Sequence, residues 1–411
     1  MTGVVASADD ADTASVLGLV FATLAAQADA LARPKPRKVF AHMNGPLQGF
    51  RILELAAIGP VPFAGALLAD LGADVVRVDR LLPPGHEPAQ PPRFDFYNRN
   101  KRSVAFDLKQ PAGMQAVLQL VAKADVLLEG FRPGVTERLG LGPAVCLAAN
   151  PRLVYGRMTG WGQDGPLAQE AGHDINYLAL TGALASLGAP GTPPPPPLNL
   201  VADLGGGAMY LAIGVLSAAW SARSSGIGQV VDAAMIDGVA HLMSAFQAYR
   251  QQGTWTANRG DNIVDGGAPF YGSYETADGR FVAVGAIEPQ FYAALLAVMG
   301  LDAATLPPQN DRSQWPPSRE RFAAVFRTRT RDAWVRAASG RDACLTPVLT
   351  IDEAPQHPQM VARRTFTRFD GALHPSPAPK FSTTPGTLRR PAPLPGQHQS
   401  EVLDEWGAAG P

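Results

Sequence analysis

Two side chains in this sequence have the types and settings that proton transfer at carbon requires, His173 and Asp203. His173 stands in Ala171-Gly172-His173-Asp174-Ile175-Asn176-Tyr177, where the preceding glycine lets backbone approach a ligand closely. Asp174 either orients the imidazole or caps a helix running through Leu178 to Leu187. A helix-start histidine held by Asp174 for structure alone fits the same residues. Asp203 precedes Leu204-Gly205-Gly206-Gly207 and an apolar helical run to Arg223. As an N-cap it would contribute roughly 1 kcal/mol of helix stability. Three glycines after a cap each lose about 1 kcal/mol against alanine, which points to something approaching the backbone. Free N–H groups at such a start suit an anion, whether an enolate oxygen or a phosphate. The helix dipole should lower the pKa of Asp203, so only burial under a bound substrate would lift it toward a proton donor's range. Glu288, in Gly285-Ala286-Ile287-Glu288-Pro289, either caps the helix opening at Pro289 or holds a histidine tautomer.

A second group is basic: Arg80, Arg99-Asn100-Lys101-Arg102, Lys109, Arg132 and Arg138. Scattered surface charge explains them equally well. Several nonetheless fall at strand ends or in Gly/Pro loops such as Gly130-Phe131-Arg132-Pro133-Gly134, where α/β folds bind ligands, and both cations suit phosphate. Met158, Met209, Met235 and Met243 read as core, with a flexible apolar binding surface as the other possibility.

The elements that must carry these residues follow from periodicity. Phe50–Leu55 reads as a strand, Phe63–Leu71 as a helix and Val75–Arg80 as the next strand, a βαβ unit with parallel pairing. Ser103–Asp107, a helix from Pro111 to Ala124, Val126–Glu129 and Leu153–Met158 repeat the pattern, predicting an α/β, Rossmann-like sheet. The loop after the first strand, Ala57-Ile58-Gly59-Pro60-Val61-Pro62, lacks G-x-G-x-x-G, so a dinucleotide cofactor has no support. Tyr271–Thr276 and Arg280–Val284 form a hairpin opening a second α/β unit. The five prolines 193–197 read as a stiff loop within the folded region. The expected division is an N-terminal extension over 1–42, poorly ordered or marginally helical, and a large domain over 43–232 to which 376–411 returns. Linker helices cover 233–270, a small α/β domain 271–357 and a return linker 358–375.

Composition excludes several classes. With 46% hydrophobic and 17% charged residues and a net charge of -1, the 411-residue chain has no basic field for nucleic acid. Two cysteines form no disulfide framework, and seven scattered histidines show no metal-ligand spacing, so no metal is expected. The apolar stretch Val16–Ala32 follows Asp9, Asp10 and Asp12, which is wrong for a signal peptide, and it is short for a membrane span. Met43 is a candidate functional start. Cytoplasm is the expectation, since Ala-Gly-Pro at the end is no peroxisomal address.

These segments together resemble the class III CoA-transferase family, in the branch that racemises 2-methylacyl-CoA esters. The carriers are Leu68 to Arg77, Asn98 to Ser103, Glu129 to Val135, Thr159 to Gln163, Gly172 to Tyr177, Asn199 to Asp203 and Gly285 to Pro289. The resemblance implies a large modified Rossmann domain plus a smaller α/β domain in an interlocked homodimer, with the active site shared between subunits. It implies His173 and Asp203 as the catalytic pair, Glu288 as a third catalytic residue arriving from the partner chain, and Asn199 in support. It assigns coenzyme A contacts to Arg80, Phe106, Asp107, Leu108, Lys109, Gly130, Phe131, Arg132, Pro133, Gly134, Arg138, Gly172, Asp174 and Tyr177. The four methionines become the acyl surface. Coenzyme A enters as part of the substrate, so no separate cofactor is implied. The alternative within the family is CoA transfer between carboxylic acids, with Asp203 as nucleophile.

Overall fold

The structure, a computed structural model, describes residues 45–81, 91–408 and 410; the expectations for 1–42 and for Met43 lie outside the described residues. Short runs of β-branched and apolar residues build β1 (Arg51–Leu55), β2 (Asp74–Asp79), β3 (Arg102–Ala105), β4 (Val126–Glu129), β5 (Val154–Thr159) and β6 (Gln229–Ala234). All six are parallel, in the order β3-β2-β1-β4-β5-β6. The chain thus works outward from β1 and then reverses to β4, which makes the gap between those two strands the place where an open α/β sheet binds its ligand.

Side chains alternate between two cores. Ile52, Val75, Val126 and Val154 pack under the helices Pro60–Asp70 and Met209–Ser225. Leu53, Val76, Leu127 and Tyr155 face the helix Pro111–Val121 and the C-terminal helix Gln399–Trp406. Burial on both faces explains why these strands read as nearly continuous apolar runs. The combined helix Leu200–Ser225 is long and apolar enough to cross a membrane, yet Leu211, Ala212, Val215 and Ala218 on it lie in the first core. Its other side exposes Met209, Ile213 and Trp220.

The C-terminal segment closes the outer edge of β3. The Ser103 N–H donates to His398 Nδ1, the His398 N–H donates to the Ser103 carbonyl, and the Ala105 N–H donates to Gln399 Oε1. Trp406 then buries its ring in the second core and donates its indole N–H to Asp74 at 2.9 Å.

A separate core surrounds β7 (Tyr271–Glu275), β8 (Phe281–Gly285) and β9 (Leu345–Pro347), an antiparallel sheet covered by the helices Pro289–Met299, Trp315–Phe326 and Arg331–Ala338. The helices Met235–Leu242 and Ser244–Gln251 lead toward it. On the way back the chain forms the helix Pro358–Arg363 and the hairpin β10 (Phe366–Phe369) and β11 (Ala372–Pro375).

The basic cluster at 99–102 belongs to the scaffold and not to a phosphate site. Lys101 is fully buried and donates to both Glu54 oxygens at 2.7 and 2.8 Å. Arg99 pairs with Asp70, and Arg102 with Asp74, Glu401 and Glu405. Buried cations need fixed partners of this kind, so these were claimed by the fold.

Candidate active site

A cleft of about 410 Å³ opens at the carboxyl ends of the strands. Ile58 and Gly59 enter it after β1, Gly130 to Pro133 after β4, Thr159 to Trp161 after β5 and Met235 after β6. Gly172, His173, Tyr177 and Asp203 complete the wall. A Cβ at 130 would lie 2.9 Å from Val61 Cγ2, so glycine there lets the turn after β4 sit close against the start of the helix Pro60–Asp70.

His173 is the N-cap of the helix Asp174–Leu180 and is exposed to the cleft. Its backbone N–H donates to Asn176 Oδ1 at 3.0 Å, which pins the turn. The helix is shorter than the periodicity predicts: it stops at Leu180, and a single 3-10 turn follows over Leu184–Ser186. Behind it, the Tyr177 hydroxyl donates to the Gly172 carbonyl, and its ring packs edge-on against Trp161 with centroids 4.7 Å apart.

Asp203 departs from the sequence reading in two ways. It is no N-cap, because residues Leu200–Ala208 form a π-helix that runs straight into Met209–Ser225. Wide helical turns of this kind recur at functional sites. The glycines serve helix packing: a Cβ on Gly238 would lie 1.9 Å from the Gly206 carbonyl, and one on Gly206 would lie 2.9 Å from the Val239 nitrogen. What approaches the backbone is thus the helix Met235–Leu242. The amides at this start are also engaged, since Asp174 Oδ2 accepts from the Ala202 and Asp203 N–H groups, each at 2.8 Å. The Asp203 amide is therefore unavailable to an oxyanion. Asp174 is buried beneath the site and caps the π-helix.

The acidity of Asp203 also differs from the expectation. Its pKa already lies above the ordinary carboxylate value without substrate, chiefly because burial disfavours the charge and further because of the nearby Asp174 carboxylate. Asn199 Nδ2, donating to Oδ2 at 3.4 Å, and the charge of His173 pull the other way. Burial, and after it the charge of Asp203, raises the pKa of both Tyr97 and Tyr177, and of these two phenols only Tyr97 was not legible in the sequence.

The remaining sequence candidates separate. Arg80, Lys109, Arg132 and Arg138 are exposed after β2, β3 and β4, and none has a carboxylate partner among the described residues. Arg138 Nη1 lies over Gly134, whose φ of 82° and tight space admit little but glycine. Asp107 and Leu108 are half-buried in the turn after β3, whereas Phe106 is 2% exposed and belongs to the second core. Met158 and Met235 are buried at the cleft floor. Met243 lines a separate apolar pocket of about 220 Å³ with Phe246 and Trp255, and Met209 is exposed outside the cleft. Glu288 is exposed at the exit of β8 and does not line the cleft of its own chain. Glu170 and Trp161 do line it; Trp161 lies in the segment Thr159 to Gln163 that carries the family resemblance, and Glu170 in no recognisable pattern. No cluster with metal-ligand geometry occurs among the described residues.

Fold and cleft define a parallel α/β protein that takes its ligand at the carboxyl edge of the sheet. The chain belongs to CoA-transferase family III, whose sequence profile matches residues 47–399. It is 48% identical over 364 residues to an alpha-methylacyl-CoA racemase of Mus musculus, covering 88% of this chain and 93% of that protein. An alpha-methylacyl-CoA racemase of Homo sapiens is 45% identical over 366 residues, again covering 88% and 93%. The crystal structure of a CAIB/BAIF family protein from Brucella suis superposes with a TM-score of 0.76 at 25% identity, over 88% of this chain and all of that one.

Proposed function

We propose that this chain interconverts the R and S forms of 2-methylacyl-CoA thioesters by moving the proton on C2. The observation that carries this is the convergence of His173 and Asp203, from two different helices, on one cleft at the switch point of the sheet. One group removes the proton from C2, the electron pair spreads onto the thioester oxygen as an enolate, and the other group delivers a proton to the opposite face. Burial raises the pKa of Asp203 above the ordinary carboxylate value, which favours its part as proton carrier. Since the Asp203 amide is engaged and the Asn176 N–H donates to the His173 carbonyl, the oxyanion falls to the Asp174 and Ile175 amides at the start of the helix Asp174–Leu180.

Arg80, Asp107 to Lys109, the turn Gly130 to Gly134 and Arg138 hold the coenzyme A moiety, supported by their shared position along the strand ends. Met158 and Met235 face the acyl group. The protein works as a homodimer, and Glu288 of the partner subunit steadies His173. The exposed apolar stripe Met209, Ile213 and Trp220 supports a protein contact there.

Incubation of either epimer in heavy water tests the proposal: both epimers should appear, carrying deuterium at C2. His173→Ala and Asp203→Ala should each lower the rate by roughly 100-fold or more while coenzyme A binding persists. A wild-type rate in either variant overturns the two-group scheme. The CoA-transferase alternative predicts CoA movement to an added carboxylate, with an anhydride on Asp203.

A further inference from the structure

Asp174 stands beside His173 in the chain, yet its hydrogen bonds go to the other acid/base group. It is 5% exposed, and one oxygen, Oδ2, takes both the Ala202 and the Asp203 amide at 2.8 Å. The other oxygen, Oδ1, is buried and has no partner among the described residues. A π-helix leaves the amides of its opening turn without acceptors in the helix, so an external acceptor decides where that turn sits. Here the acceptor is carried on the very residue that follows His173. The two groups on which the proposed chemistry depends are thus tied through one carboxylate, with no flexible loop between them.

We infer that Asp174 is a positioning residue for Asp203, its buried carboxylate clamping the opening turn of the π-helix and so fixing the spacing between imidazole and carboxyl across the cleft. Its charge has a second consequence. The groups acting on Asp203 are His173 and Asn199, which favour the carboxylate, and Asp174, which opposes it; Tyr97 and Tyr177 are the phenols that feel the Asp203 charge, and Arg132 acts on Tyr177. Removing the negative charge at 174 while keeping both hydrogen bonds therefore makes Asp203 more acidic.

The kinetic part of the inference rests on the racemase reading, while the clamp itself does not, and the experiment separates them. Asparagine at 174 can keep both hydrogen bonds through its oxygen and place its NH2 where the unpartnered Oδ1 now lies, whereas alanine removes the acceptor. Hydrogen exchange of the peptide covering 200–208, followed by mass spectrometry without substrate, should show lost protection in Asp174→Ala and wild-type protection in Asp174→Asn. In racemisation assays Asp174→Ala should lose roughly 100-fold in kcat with little change in KM. Asp174→Asn should keep most activity and move the acid limb, in the direction where Asp203 accepts the proton, to lower pH. Unchanged protection in Asp174→Ala, or an unmoved acid limb in Asp174→Asn, overturns the inference. Should the wild-type chain not racemise, the exchange measurement still decides whether the clamp exists.

Discussion

Asp203 sits among neighbours that pull its ionisation in opposite directions. Burial and Asp174 keep the proton on, and Asn199 and His173 take it off. Replacing Asn199 with alanine removes a bond that favours the carboxylate, so the acid limb of the Asp203-as-base direction should shift to higher pH in a rate profile. The same raised pKa has a linkage consequence for stability. The folded value exceeds the unfolded one, so the favourable contribution is complete below the ordinary value of 3.8 and is lost as pH rises through the folded value. Asp203→Asn should therefore raise the melting midpoint at pH 7 and leave it unchanged at pH 3, a difference calorimetry resolves. At this scale the sequence was informative about identity and poor about environment. His173 and Asp203 could be picked from residue type and flanking glycines, but the acidity of Asp203 depends on its burial and, after that, on neighbours such as Asp174, and nothing local encodes that.

The helix that carries Asp203 shows where sequence pattern runs out. Strands such as Val126–Glu129 were legible residue for residue, because burial on both faces of the sheet makes them short continuous apolar runs. The π register over Leu200–Ala208 has no such local signature. It coincides with the place where two backbones meet at Gly206 and Gly238, a tertiary contact that no local pattern records. Gly238→Ala should consequently push the two helices apart, destabilise the fold by about 1–3 kcal/mol in denaturant titration and lower kcat more than KM. The glycine run was rightly a mark of close approach; the approaching partner was a helix and not a ligand.

Across the whole molecule, Glu288 and the cleft belong to different cores, and one chain alone does not bring them together. If a partner supplies Glu288, coexpressing His173→Ala chains with Glu288→Ala chains should restore activity that neither variant has alone, because one of the two shared sites in the mixed dimer is intact. Failure to complement would place Glu288 outside the chemistry. The tail offers a separate test: Trp406→Ala should cost about 3–5 kcal/mol in unfolding free energy, since the ring fills the second core and its indole N–H satisfies Asp74. The docking of the tail helix on β3 joins residues far apart in the chain, beyond the range of any local periodicity.

That docking sets the timetable of synthesis. Arg102 meets Glu405 across 303 residues and Trp406 meets Asp74 across 332, so the rim of β3 stays bare until the helix Gln399–Trp406 has been made. A nascent chain carries that unpaired ladder of amides and carbonyls through nearly the whole of its elongation, open to pairing with neighbouring polypeptides. Ribosome-bound intermediates halted just before Pro395 should accordingly depend on chaperones, and emergence of the chain through Trp406 should end that dependence.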